Sequence, residues 1–139
     1  MGRWLALAAV LAGGAAWAHS GAMGIVKERM DAMGIMGKAL KAATLAERSG
    51  GASAQEFAAL GAALQTHGGA RMLALFPEGS GGGVSEVRPE IWEDWAAFER
   101  LAKTLEAQGR ALAGGGDAPD LAAVQATCAA CHERFRTKK

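Results

Sequence analysis

The sequence predicts an all-α protein, an antiparallel up-down-up-down four-helix bundle, and three observations carry that prediction. Alanine is abundant, tyrosine is absent, β-branched residues are few, and no stretch alternates with period two. Gly, Pro and Ser clusters divide the chain into four segments. Within each segment the apolar residues recur in steps of three and four, the spacing of a bundle seam. Short links favour antiparallel neighbours, and the longer link after the second segment relaxes that constraint once.

A targeting segment stands ahead of the bundle. Met1-Gly2-Arg3 leads into the apolar run Trp4 to Ala16 and then Ala16-Trp17-Ala18, with small residues at the A-x-A cleavage positions. The run is too short for a comfortable membrane span. Residues 1–18 are therefore expected to be a signal peptide, cleaved after Ala18, with no stable membrane insertion afterwards. The remaining residues, 19–139, number about 120 and suit one compact domain with one core. His19 would become the mature N-terminus. Without a second, suitably placed histidine it reads as the residue left by cleavage rather than as a copper chelator. The formal net charge is +1 and no basic run is interleaved with aromatics, so nucleic acid is not an expected partner.

The first helical segment runs from about Ala22 to Arg48 and stops at Gly50-Gly51. Its expected seam is Val26, Met30, Met33, Gly37, Leu40 and Thr44. Gly34 and Gly37 each weaken this helix by about 1 kcal/mol relative to Ala, but they let something bulky approach. The second segment opens on Ser53-Ala54-Gln55-Glu56, a capping box, and continues through Phe57, Leu60 and Leu64 to His67-Gly68-Gly69. His67 reads as a solvated or dipole-compensating residue at a helix C-terminus. From Ala70 to Arg88 an irregular connection is expected, its apolar half, Met72 to Pro77, packed down and its glycine half mobile. A third helix should start at Pro89 and carry Ile91, Trp95, Phe98, Ala102, Leu105 and Leu112, with Trp92 beside the seam and Gly114-Gly115-Gly116 as its stop. Asp117 or Asp120 would begin the fourth, with Pro119 in its first turn.

That fourth helix carries Leu121, Val124, Cys128, Cys131 and Phe135 on one seam, and within it lies Cys128-Ala129-Ala130-Cys131-His132. Two thiols one helical turn apart can each add to a porphyrin vinyl group, while the following imidazole reaches the iron, so C-x-x-C-H reads as a covalent haem c site with His132 as the proximal ligand. A thioredoxin-like motif would follow a strand, a structural zinc site would want four ligands, and i,i+3 thiols on a regular helix are poorly placed for a disulfide. The terminal Arg134, Arg136, Lys138 and Lys139 compensate the helix dipole in one reading and form a docking patch near the haem edge in the other. The first is favoured.

With these residues in view, the mature chain resembles the cytochrome c′ family. The carriers are Val26-Lys27-Glu28-Arg29, Arg88-Pro89-Glu90-Ile91-Trp92, and the haem motif with Phe135-Arg136. The resemblance implies a periplasmic, non-enzymatic protein with one covalent haem, Arg29 approaching a haem propionate, and Arg136 on the proximal side near His132. It also implies homodimer contacts along the first helix, from which Glu28 departs because many relatives carry an aromatic residue there. Met33, four residues after Arg29, occupies the place that faces the distal side of the iron. The family's five-coordinate members hold a side chain without a donor atom there, and a low-spin subgroup holds methionine. A thioether can ligate iron in an apolar core without burying a charge. The sequence is thus expected to encode a Met33/His132-ligated electron carrier serving periplasmic electron-transfer proteins. The alternative is a five-coordinate site that binds nitric oxide or carbon monoxide. Met30 and Met36 flank Met33, and Met36 is expected to fall off the seam.

Overall fold

Local signals place most of the helix ends. The structure is a computed structural model that describes residues 22–115 and 120–138. The expected signal peptide, His19, Asp117, Pro119 and Lys139 lie outside the described residues. Helix α1 spans Gly24–Arg48 and stops ahead of Gly50 and Gly51, both at positive φ. Helix α2, Ala54–His67, begins with the expected capping box. Ser53 Oγ accepts from the Glu56 amide at 3.3 Å and Glu56 Oε2 accepts from the Ser53 amide at 2.7 Å. These bonds hold the Glu56 carboxyl below its ordinary pKa.

Between α2 and the third seam the chain is more regular than expected. Residues Gly69–Ala74 form a short helix, α3, which buries Met72. The expected third helix is divided into α4, Glu90–Glu93, and α5, Trp95–Gly114. The division falls at Asp94, whose φ of −126° and ψ of 59° leave the helical region. Its Oδ1 accepts from the Ala97 amide at 3.1 Å and caps α5. A short carboxylate side chain offers the backbone an alternative to continuing the helix, which is why the turn breaks here. Asp120, rather than Asp117, caps α6, Leu121–Phe135, by accepting from the Ala123 amide at 2.7 Å.

Helix α1 packs on α2, α2 on α5, α5 on α6 and α6 back on α1, a closed ring of sequential neighbours. Cross-helix pairs give the directions. Gln108 Nε2 donates to Thr127 Oγ1 at 3.0 Å while Phe98 meets Phe135, so α5 and α6 run antiparallel. Gly61 opposes Gly109 while Gly68 opposes Glu106, so α2 and α5 do too. The four long helices form the expected bundle.

The α2–α5 crossing depends on glycine at both contact points. A Cβ on Gly109 would lie 2.8 Å from the Gly61 carbonyl oxygen and 2.8 Å from Leu64 Cβ. Gly109→Ala therefore trades a helix-propensity gain of about 1 kcal/mol against an overpacking cost of about 1–3 kcal/mol. We expect net destabilisation, read as a lower urea midpoint at unchanged m-value. An equal or higher midpoint would show that the crossing yields freely.

The core gathers Leu60, Leu64, Ile91, Phe98, Leu105, Val124 and Phe135, matching the expected seams of the second, third and fourth segments, together with Met72 of α3. In α1 the phase differs. Its buried stripe is Arg29, Ala32, Met36 and Ala43, whereas Met30 and Gly37 are exposed and Met33 is half-buried. Met36 thus lies in the core rather than off the seam. At about 100° per residue, the expected stripe sits about a quarter turn away from the buried one. Its middle part, Met30, Met33 and Gly37, faces a cavity, while Leu40 packs on the core and Thr44 accepts from Gln125 of α6.

Candidate functional site

Helix α6 builds one wall of that cavity. Its three-four spacing puts Cys131, Phe135 and, one residue off, His132 toward the space between α6 and α1. Cys131 is buried and Cys128, one turn back, is half-buried against the core, outside the lining. Both are free thiols. Desolvation raises the Cys128 pKa, and desolvation with the neighbouring Cys128 pushes Cys131 up to about 11. Thiols held protonated are poor attacking nucleophiles, which argues against a dithiol oxidoreductase. Among the described residues, no group of three or more His, Cys, Asp and Glu is placed to hold a metal ion. Partial burial and the Arg136 guanidinium hold His132 below its ordinary pKa, opposed by the Glu86 carboxylate, so the neutral imidazole that ligates metals is favoured.

The segment before α4 closes the end of this wall. Val87 pairs with Arg136 as an antiparallel bridge, the Arg88 amide donates to the Phe135 carbonyl at 2.8 Å, and the Thr137 amide donates to the Glu86 carbonyl at 2.8 Å. Arg136 forms an ion pair with Glu86 at 2.5 Å, and Arg134 pairs with Asp94. Two members of the terminal basic cluster are therefore matched by carboxylates, which weakens the docking-patch reading.

Helix α1 supplies the other wall through Arg29, Met30, Met33, Gly34 and Gly37. A Cβ built on Gly34 or Gly37 would meet nothing within 4 Å, so this stretch stands back from the rest of the protein. Between the walls is a cavity of about 430 Å³, floored by Phe76, Ile91 and Phe98. That volume lies in the range of cofactor sites. His67 lies outside its lining. Arg29 is 6% exposed, and its guanidinium lies 4.2 Å from the Phe76 ring centroid.

A family model described as Cytochrome C′ matches residues 24–136, the whole span that builds these walls. The chain belongs to the cytochrome c′ family. Its members are non-enzymatic haem proteins with one covalent haem c, typically periplasmic. Cytochrome c′ from Alcaligenes xylosoxydans xylosoxydans is 37% identical over 73 residues, covering 48% of this chain and 56% of that one. The chain spans about half the length of the curated relatives it matches. Over the fold the likeness is fuller. The structure of recombinant cytochrome c′ from Alcaligenes xylosoxidans matches with a TM-score of 0.65 at 30% identity, covering 82% of this chain and 94% of that chain. Cytochrome c′ from Shewanella frigidimarina matches with a TM-score of 0.66 at 21% identity, with 82% and 94% covered, a likeness of fold alone.

The residues present fit a haem. The cytochrome c′ motif lies beside an apolar cavity, Cys131 and His132 line it, and two glycines remove side chains from the facing wall. Of the six residues singled out in the sequence, Cys131, His132, Arg136, Arg29 and Met33 come together around this one space, with Cys128 one turn away. Sequence reasoning expected the stretch holding Phe76 to pack down but did not foresee Phe76 in the cavity floor, nor Glu86 as the partner of Arg136. Both belong to the connection between the second and third seams, where no periodicity marks an inward side chain.

Proposed function

We propose that this chain is an exported one-electron carrier whose haem iron is held between His132 and Met33. Residues 1–18 act as its signal peptide, residues 19–139 form the haem domain, and its partners are periplasmic electron-transfer proteins. Cys128 and Cys131 carry the thioether bonds, and Arg136 screens the proximal side. The carrying observation is that Met33 and His132 line the same cavity from different helices. When bound, the haem supplies one-electron chemistry at a potential that Met/His ligation raises. The chain's own residues do the rest. Phe76, Ile91 and Phe98 keep the pocket apolar, and a soft, uncharged thioether sits in such a pocket without the penalty of burying a charge.

Two observations favour the alternative, a five-coordinate site open to carbon monoxide or nitric oxide. A carbon-monoxide-bound variant is known for the Alcaligenes xylosoxidans protein, 28% identical to this chain. Gly34 and Gly37 also leave open space beside Met33. Met33→Ala decides between the readings. We expect the ferric wild type to show a sulfur-to-iron charge-transfer band and a low-spin spectrum. The variant should lose the band, become high-spin and bind carbon monoxide readily on reduction. A wild type that is already high-spin, or spectra unchanged by the substitution, would hand the case to gas binding.

A further inference from the structure

The Arg29 side chain is buried against the connection that leads from α3 to α4, and its donors account for themselves fully. Nε–H donates to the Leu75 carbonyl at 3.0 Å and Nη2 to the same oxygen at 2.8 Å. Nη2 also donates to Ser80 Oγ at 2.6 Å, while Nη1 donates to the Ser80 carbonyl at 3.3 Å and to Ser85 Oγ at 2.9 Å. A guanidinium has five N–H groups, and five bonds are made. Every acceptor lies 46 to 56 residues along the chain from Arg29. Among the described residues no carboxylate forms an ion pair with it, and burial lowers its pKa.

We infer that Arg29 is a positioning residue that latches the connection around Ser80 and Ser85 onto α1 and thereby holds Phe76 in the cavity floor. A guanidinium stacked on Phe76, hydrogen-bonded to Leu75 just before it and to Ser80 just after its turn, restrains that ring from both sides along the chain. Phe76 in turn meets Phe98 edge-on at 4.8 Å, and Phe98 meets Phe135 at 5.9 Å, so the latch bears on an aromatic column that lines the cavity. Trp92 Nε1–H, donating to the Phe76 carbonyl at 3.0 Å, fixes the same turn from α4. The glycine half of the connection, expected to be mobile, is thus tied at two serines. This inference stands whether or not Met33 ligates the iron.

The test is hydrogen–deuterium exchange on the purified haem-loaded protein, comparing wild type with Arg29→Lys and with the double variant Ser80→Ala, Ser85→Ala. Lysine keeps the charge but cannot reach four acceptors with a planar fork. Both variants should speed exchange of amides in residues 76–88 by about tenfold, the scale for losing one or two partly buried bonds. Amides at the α2–α5 crossing should stay unchanged, which separates a local latch from general destabilisation. The double variant Ser80→Thr, Ser85→Thr, which restores both hydroxyls, should return the protection. If Arg29→Lys does not accumulate, the serine variants carry the test alone, since they leave the buried cation in place. Wild-type exchange in the serine-to-alanine variant, or in Arg29→Lys, would overturn the latch. So would a loss of protection spread evenly over the bundle.

Discussion

A protein carrying Cys128→Ser and Cys131→Ser together should surrender all of its haem to acid–acetone, whereas the wild type, co-expressed with a haem-attachment system, should keep its colour in the protein pellet. The difference rests on bond type. A thioether survives extraction, and a haem held by His132 and the cavity walls alone does not. Cys131 is buried in the lining and Cys128 is half-buried one turn away, so the two anchors act at different depths of the same helix. Cys131→Ser alone should weaken or abolish attachment. A fully coloured pellet from the double variant would remove the basis for haem attachment at this motif.

Without haem, the chain should lose its cooperative thermal transition and much of its helicity. The cavity is about 430 Å³, and at about 24 cal/mol per Å³ the cost of leaving such a volume empty reaches about 10 kcal/mol. That is an upper bound, because exposed His132 and Met30 at its edge let water in. Even half of it rivals the net stability of a typical domain, about 5–15 kcal/mol. Gly34 and Gly37 deepen the effect, since at these two positions the α1 wall has no side chain with which to collapse across the gap. The measurement is circular dichroism with thermal melting on chain produced without haem. Near-native helicity and a sharp transition would show that the bundle closes on its own.

Much of this protein was legible in the sequence because the relevant signals are local. The capping box at Ser53 and Glu56 spans four residues, the C-x-x-C-H motif spans five, and each is a local signal about one turn of helix long. The seams of α2, α5 and α6 repeat over several turns, so their inward faces were readable, and with them the order and direction of the bundle. The resemblance to the cytochrome c′ family pointed to Arg29, Met33 and Arg136, which do meet at one cavity.

Other features were decided by contacts between distant parts of the chain. The apolar stripe expected on α1 is real, but periodicity cannot say whether a stripe meets a helix or a cofactor space. Here it was packing that sent Ala32, Met36 and Ala43 to the core and left Met30 and Gly37 at the cavity. The docking-patch reading of the basic C-terminus, already the less favoured one, weakens further because Asp94 and Glu86 lie beside Arg134 and Arg136. Arg29 lines the cavity as the resemblance implied, but nothing near it in the chain announces Leu75, Ser80 and Ser85 as the acceptors of its donors. A helix end depends on atoms a few residues away, which the sequence lays side by side. The partner of a buried charge or of a half-apolar stripe depends on which segments the fold brings within hydrogen-bond reach, and that is set by the closed bundle as a whole.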